Sequence, residues 1–424
     1  MHRTFDVVIV GGGIAGLTAA LYLARGGKRV AVLESQQRMG GRAITNQKEG
    51  VRFNLGSHAL YEGDARRVFQ ELGLNPDLFR KVDEFKPFGI WKEQVHLFPA
   101  SMSFLLKSSM LTISEKVMFA GLLMRILKMD VEAIPRISLR AWMEQNVRSP
   151  MLRHMLYVMA RGGTYVQAPD LQEAGPLFRQ MQRSIAGVYY VKRGWGALIE
   201  HLCEEAQRLG VALLTGRKVT AVGHEDGCVR HILCADGETI EAAYVILATP
   251  PGIARNLVPN SDATSLKTWD EQAIPVTAAC LDIGLRRLPV PDRQFVYGID
   301  QPIMMVNASR IHGLDMSDDG DVQVFQMIKF QNQDGDAGED RRQLEAALDL
   351  IHPGWKREVV TEQYLPRMTV VHDFMHLKRK QNLGPAVPEI KGLYVAGDWA
   401  THGEYLVNGA AASAKRAAEH ILAQ

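Results

Sequence analysis

Three glycines and one acid near the start of this 424-residue chain stand at the spacing that phosphate recognition requires. Gly11, Gly13 and Gly16 form a GxGxxG run, and Glu34 follows eighteen residues after the last of them. The first glycine permits a tight turn out of a strand. The second has no side chain, so backbone can approach a pyrophosphate, and the third lets a helix pack closely on the strand. Free N–H groups at the helix start, at Ile14 and Ala15, combine with the helix dipole to favour phosphate charge. An acid at Glu34 can accept hydrogen bonds from ribose hydroxyls and repels a 2′-phosphate, which disfavours NADP.

A lone glycine motif is weak, so the elements around it decide its meaning. Residues 6–10 (DVVIV) read as a buried parallel strand, 17–25 as a helix and 28–33 as a second strand. Strand, glycine turn, helix and strand thus fit the length of one βαβ unit. Farther on, the pattern predicts helices within 63–74, 103–160 and 196–209, and strands near 211–222, 228–234 and 239–248. Antiparallel strands are expected at 276–285, 294–299, 302–308 and 322–330, an exposed mobile loop at 331–340, a strand at 392–396 and a helix at 409–422.

Apolar residues make up 46% and charged residues 23%, with a net charge of +2 and no basic run, which argues against a nucleic-acid partner. Cys203, Cys228, Cys234 and Cys280 show neither a CxxC pair nor metal spacing, so they read as free thiols of a reducing cytoplasm, with no metal site. The four residues before the first strand leave no room for a signal peptide. The most apolar run, 117–127, is interrupted by Arg125 and is too short for a membrane span, though peripheral membrane contact stays open.

Directly after Glu34 comes Ser35-Gln36-Gln37-Arg38-Met39-Gly40-Gly41-Arg42. A second glycine pair suits more backbone lying against a diphosphate, and Arg42 adds positive charge there. GGGIAGL followed by E-x-x-x-R-x-GGR resembles the superfamily of flavin amine oxidases, protoporphyrinogen oxidases and phytoene-type desaturases. The resemblance continues in NLGSH (54–58), GWGAL (194–198), RKVTAV around Val219, ILATPP (246–251), GLYVAGDW (392–399) and NGAAAS (408–413).

The resemblance implies non-covalent FAD in an α/β fold, a Rossmann-type FAD-binding domain interleaved with an α+β substrate domain. It assigns 1–62, 192–258 and 386–424 to the first, and 63–191 and 259–385 to the second. Gly56 and Ser57 would pass near the flavin ring, Val219 would meet the adenine through its backbone, and Ala248 would line the turn out of the domain. Asp398, after Gly397, would bind the ribityl–phosphate region, and Val407, Asn408 and Ala410 would open a helix aimed at the flavin. No cysteine follows Cys280, which excludes the thioether link of some amine oxidases.

The implied reaction is hydride transfer from substrate to flavin, so the cofactor carries the chemistry and the protein orients and excludes. His58, Trp399, Tyr405 and Tyr297 are the catalytic candidates. The apolar stretch 97–129, rich in Leu, Met and Phe, reads first as core, with a substrate tunnel or a membrane-touching face bearing Lys107, Lys116, Arg125 and Lys128 as alternatives. Oxidation of an apolar, isoprenoid-like substrate is the leading expectation, C–N oxidation of an amine the second. A lipid carrier of the escort or dissociation-inhibitor type is the third.

Overall fold

In the computed structural model, residues 3–81, 86–313, 316–318, 320–332, 336–380 and 383–424 are described. β1 (Arg3–Val10), α1 (Ile14–Arg25) and β2 (Val30–Leu33) form the expected βαβ unit at the chain start. The sheet built on it runs Ala212–Leu214, β2, β1, Thr239–Leu247, Cys228–Cys234 and Val219–Glu225, with Leu393–Val395 also paired to Thr239–Leu247. β1 is parallel to both neighbours, with Val7 beside Val30 on one side and Tyr244 on the other. A strand so placed is buried on both faces and carries no polar alternation. Val7 and Ile9 point into the core under α1, while Val8 and Val10 point into the opposite core with Val219 and Trp269.

The second sheet runs Val359–Val371, Val276–Leu285, Gln323–Phe330, Ile303–Asn307, Phe295–Gly298, Pro87–Trp91 and Gln94–Leu97. All four expected antiparallel strands are there, but three members were not expected. Val359–Val371 is a half-exposed edge strand interrupted by Pro366 and Arg367, so its sequence lacks the alternation that signals a half-buried strand. Pro87–Trp91 joins by parallel pairing to Phe295–Gly298, more than 200 residues later, which no local pattern reports.

The expected loop at 331–340 is corrected in part. Residues 333–335 lie outside the described residues, and a helix begins at Ala337, capped by the Asp336 side chain. Asp340 is buried, where it accepts from Lys329 Nζ and from Gln331 Nε2 at 2.6 Å. The acidic, glycine-bearing run that suggested a loop is a helix start, where acids cap and complement the dipole. The Ala337–Ile351 helix packs Leu344, Leu348 and Ile351 on the outer face of the sheet. The inner face, with Ala278, Cys280, Met304 and Ile328, turns toward the first sheet.

A helical layer covers the end of the second sheet. In the stretch 97–129, Phe98, Leu105, Leu111, Phe119, Leu122 and Ile126 are core, but Met102, Leu106, Val117, Met118, Met124 and Leu127 are exposed. The core reading therefore holds for one side of these helices only. Among the described residues, no helix is long and apolar enough to cross a membrane.

Candidate flavin and substrate site

The start of α1 has no side-chain cap and no acid in its first turn, so its first N–H groups lie open to the cleft. A side chain at Gly16 would put Cβ 1.9 Å from Gly11 O, so only glycine lets α1 lie this close to the turn. At Gly13 a Cβ would meet nothing nearer than Gly40 O at 3.9 Å; the space it would fill is cleft. The second glycine pair closes over the first through Gly40 N donating to Gly12 O at 2.8 Å.

A cleft of about 660 Å³ runs from here between the two sheets, within the range of small-molecule and cofactor sites. At one end lie Leu33, Glu34, Arg217, Val219 and Leu257, an apolar slot edged by one acid and one arginine. Glu34 accepts from Gly12 N at 2.9 Å on Oε2, and from Gln36 N at 2.9 Å and Ser35 Oγ at 3.1 Å on Oε1. A carboxylate has about four acceptor sites, so one, on Oε2, remains for a ribose hydroxyl.

In the middle, Arg42 Nη1 donates to Asp398 Oδ2 at 2.8 Å and to Val370 O at 2.6 Å. His372 adds its backbone N–H to the same carboxylate oxygen at 3.3 Å. Burial alone would raise the Asp398 carboxyl, but Arg42 and His372 hold it well below the usual carboxylate range. Leu406, Val407 and Ala410, on the first turns of the C-terminal helix Leu406–Leu422, close this part of the cleft. The positive end of that helix therefore faces this part of the cleft.

The cleft is lined by Gly11, Gly13, Ile14, Ala15, Glu34, Ser35, Gly40, Gly41, Arg42, Ser57, His58, Val219, Ala248, Gly397, Asp398, Trp399, Val407 and Ala410, which brings most of the expected residues together. Gly16 lies behind it, and Gly56 is packed on Cys280 and Met368. Asn408 departs from expectation. Its Oδ1 accepts from Ala65 N at 2.8 Å, so it caps the Asp64–Glu71 helix instead of facing the cleft. Trp399 lines the cleft while its indole donates to Thr249 O at 2.9 Å and its ring also packs in the core under the first sheet.

His58 donates from Nδ1 to Gly56 O at 2.9 Å and lies 5.2 Å from the Trp195 ring. Burial pushes it down to about 4, so it is neutral at physiological pH. Beyond it, tyrosines converge from separate parts of the chain. Tyr165 donates to Ser57 O at 3.2 Å and Tyr61 to Gly162 O at 2.5 Å. Tyr405, Val371 and Met368 belong to the same buried cluster. Tyr297 adjoins this cluster and packs edge-on against Phe295 at 4.7 Å and tilted against Phe98 at 4.8 Å. Tyr61, Tyr165 and Tyr190 escaped the sequence reading, since nothing in their local sequence marks them as neighbours. Burial raises all three phenols, so they stay protonated.

The model of flavin containing amine oxidoreductases matches residues 14–278 and 334–422. The chain belongs to that family. The family's cofactor is FAD, and the glycine cradle, the acid at Glu34 and the open helix starts fit it. The chain has that family's α/β architecture. It is 27% identical over 282 residues to a 15-cis-phytoene desaturase of Capsicum annuum, covering 61% of this chain and 48% of that protein. It is 24% identical to one of an Oncidium hybrid cultivar, covering 99% and 78% respectively. A carotenoid 3,4-desaturase of Haloarcula japonica is 26% identical, covering 66% of this chain and 63% of that one. The chain spans about half the length of the first curated relatives it matches. In fold it is similar to an oxidoreductase of Methanosarcina mazei (19% identity, TM-score 0.76, covering 97% and 99% of the two chains). It is equally similar to putrescine oxidase bound to putrescine (16%, TM-score 0.75, 100% of both chains).

Proposed function

We propose that this family member oxidises an elongated apolar substrate, desaturating a C–C bond of an isoprenoid-like chain. The carrying observation is the wall beyond His58, where Tyr165, Met368 and Leu406 line the cleft and a buried cluster with Tyr61, Tyr190 and Tyr405 backs them. The acids near that wall are paired or held neutral, burial pushing Asp282, on the same sheet face as Cys280, up to about 8. Glu173 is paired with Arg136, Asp373 with Arg379 and His376, and Asp398 with Arg42. Such a wall solvates an apolar chain and excludes water, and it offers an ammonium no free carboxylate.

Bound FAD supplies the hydride acceptor. The chain's own residues position and exclude. Tyr165 fixes the turn at Ser57, and His58 gives its Nδ1 proton to Gly56 O and so offers a neutral polar edge. We assign retention of the cofactor to the lining residues from Gly11 to Ala410 named above, and the domain division 1–62, 192–258 and 386–424 against 63–191 and 259–385. Limited proteolysis of the holoprotein that first nicks within 63–191 or 259–385 supports that division, and first nicks inside the nucleotide sheet oppose it. The four unpaired thiols support a reducing compartment.

Amine oxidation is the second reading, because converging tyrosine faces can also hold a cation. Anaerobic titration of the flavin absorbance separates the two. Bleaching by a phytoene-type polyene in detergent but not by putrescine supports the first, and the reverse result overturns it. A yellow spectrum that moves wholly to the supernatant on acid precipitation is expected for non-covalent FAD. A protein that stays colourless after incubation with FAD would favour the carrier reading.

A further inference from the structure

Seven of the eleven large exposed apolar side chains among the described residues lie between Met102 and Leu127. Such clustering on a folded surface marks an interaction site. The helix Ile113–Lys128 is apolar nearly all round, yet only Phe119, Leu122 and Ile126 are buried. On the opposite side Ile113, Val117, Met124 and Leu127 form a stripe at helical spacing, with Ile113 83% and Val117 70% exposed. Gly121 within that stripe faces open space. The preceding helix Met102–Lys107 adds Leu106, 69% exposed, and Lys116 Nζ ties the two helices by donating to Leu106 O at 2.8 Å.

The charges around the stripe are of one sign. Lys107, Lys116, Arg125 and Lys128 flank it against a single acid. That acid, Glu115, is consumed by the capping box with Thr112 and by Ser149. Two copies of this face placed together would set lysine against lysine. A surface with an apolar interior and anionic headgroups satisfies both features, with the lysine stems lying along the apolar stripe and their ammonium groups reaching outward.

We propose that the face formed by Met102–Lys107 and Ile113–Lys128 docks on the surface of an anionic lipid bilayer. The docked face also leads toward the chamber. Phe98, just before the first of these helices, touches Tyr297, and Tyr297 touches Phe295 of the chamber wall. The ring contacts Phe98–Tyr297–Phe295 thus connect the docked face to the inner cluster. This second part rests on the apolar-substrate reading; the docking does not.

The test is co-sedimentation of detergent-free holoprotein with vesicles of phosphatidylcholine alone and of phosphatidylcholine mixed with phosphatidylglycerol. The expected result is binding to the mixed vesicles, weakened by salt. A V117E/M124E variant, altered only on the exposed stripe, should bind at least tenfold more weakly while keeping its flavin spectrum. K107E/K128E should lose the preference for phosphatidylglycerol. Wild-type protein that stays in the supernatant with both vesicles overturns the docking, as does undiminished binding of V117E/M124E or equal binding to both vesicle types. A wild-type dimer that V117E/M124E converts to monomers, without vesicle binding, assigns the face to a second copy. Bleaching by the polyene in detergent is measured in parallel, so failure of the substrate reading shows there and leaves the vesicle result standing.

Discussion

The two ends of the cleft are built from different materials. At the nucleotide end the recognising groups are backbone: N–H groups at the start of α1 and glycines that leave room for phosphate. At the chamber end they are side chains, tyrosines and methionines brought from four or more segments onto the inner face of the second sheet. A backbone site tolerates little change, because adding one carbon displaces the chain itself. A side-chain wall is redundant, because several rings share the work. The contrast predicts large mutational effects at one end and graded effects at the other.

The largest effect is expected at Gly16. Gly16→Val would force Cβ into Gly11 O, and the variant should lose flavin and much of its soluble yield, read by the 450 nm region of the spectrum. A Gly16→Val protein that keeps stoichiometric FAD would break the comparison. Arg42→Ala comes next. It strands a buried carboxylate at Asp398, a loss of about 3–5 kcal/mol for a broken buried pair, discounted because Arg42 is partly exposed. Denaturant unfolding of R42A should show it, and R42A/D398N should recover part of the loss.

Asp282 tests the second sheet. Burial pushes its carboxyl up to about 8, relieved in part by Gln363 and Gln326. The folded protein thus holds a proton that the unfolded chain releases near the ordinary value of 3.8. Between these values the unfolded state binds fewer protons, so stability falls as pH rises from about 4 to about 8. Asp282→Asn should flatten that slope in thermal melts at constant salt; an unchanged slope would show that Asp282 is not its source.

Smaller effects sharpen the contrast. Glu34→Ala should weaken FAD retention about ten- to a hundredfold, the range of hydrogen bonds to a charged acceptor, with folding less affected. Tyr165→Phe removes only the hydroxyl that donates to Ser57 O, a loss of about 1 kcal/mol, and should leave polyene KM nearly unchanged. A large KM rise in Tyr165→Phe would mean the wall recognises polar substrate after all.

The same difference decided what could be read from sequence. The placing of Glu34 and the glycines together was legible because it depends on neighbours within one βαβ unit. Tyr61, Tyr165 and Tyr190 were not, because their meeting depends on how distant segments pack. Asn408 was assigned to the cofactor from its place in a motif, yet its side chain serves Ala65, a partner 343 residues away. The hydrogen bond of Trp399 was hidden for the same reason, since it goes to Thr249, 150 residues away. The Val359–Val371 strand was invisible because a half-exposed edge strand needs no hydrophobic alternation.

The bond from Arg42 to Asp398 spans 356 positions of chain, and Arg42 also holds Val370 of the other sheet. During synthesis Arg42 is made 356 residues before its partner. The cradle therefore stays open at this point until Asp398 has emerged. Closure around a cofactor then waits for that segment, and nascent chains pass through a period in which the cleft lacks this pair. Cells short of flavin should accumulate this protein as an incompletely closed, protease-sensitive form, and pulse-chase in flavin-limited cells would reveal it.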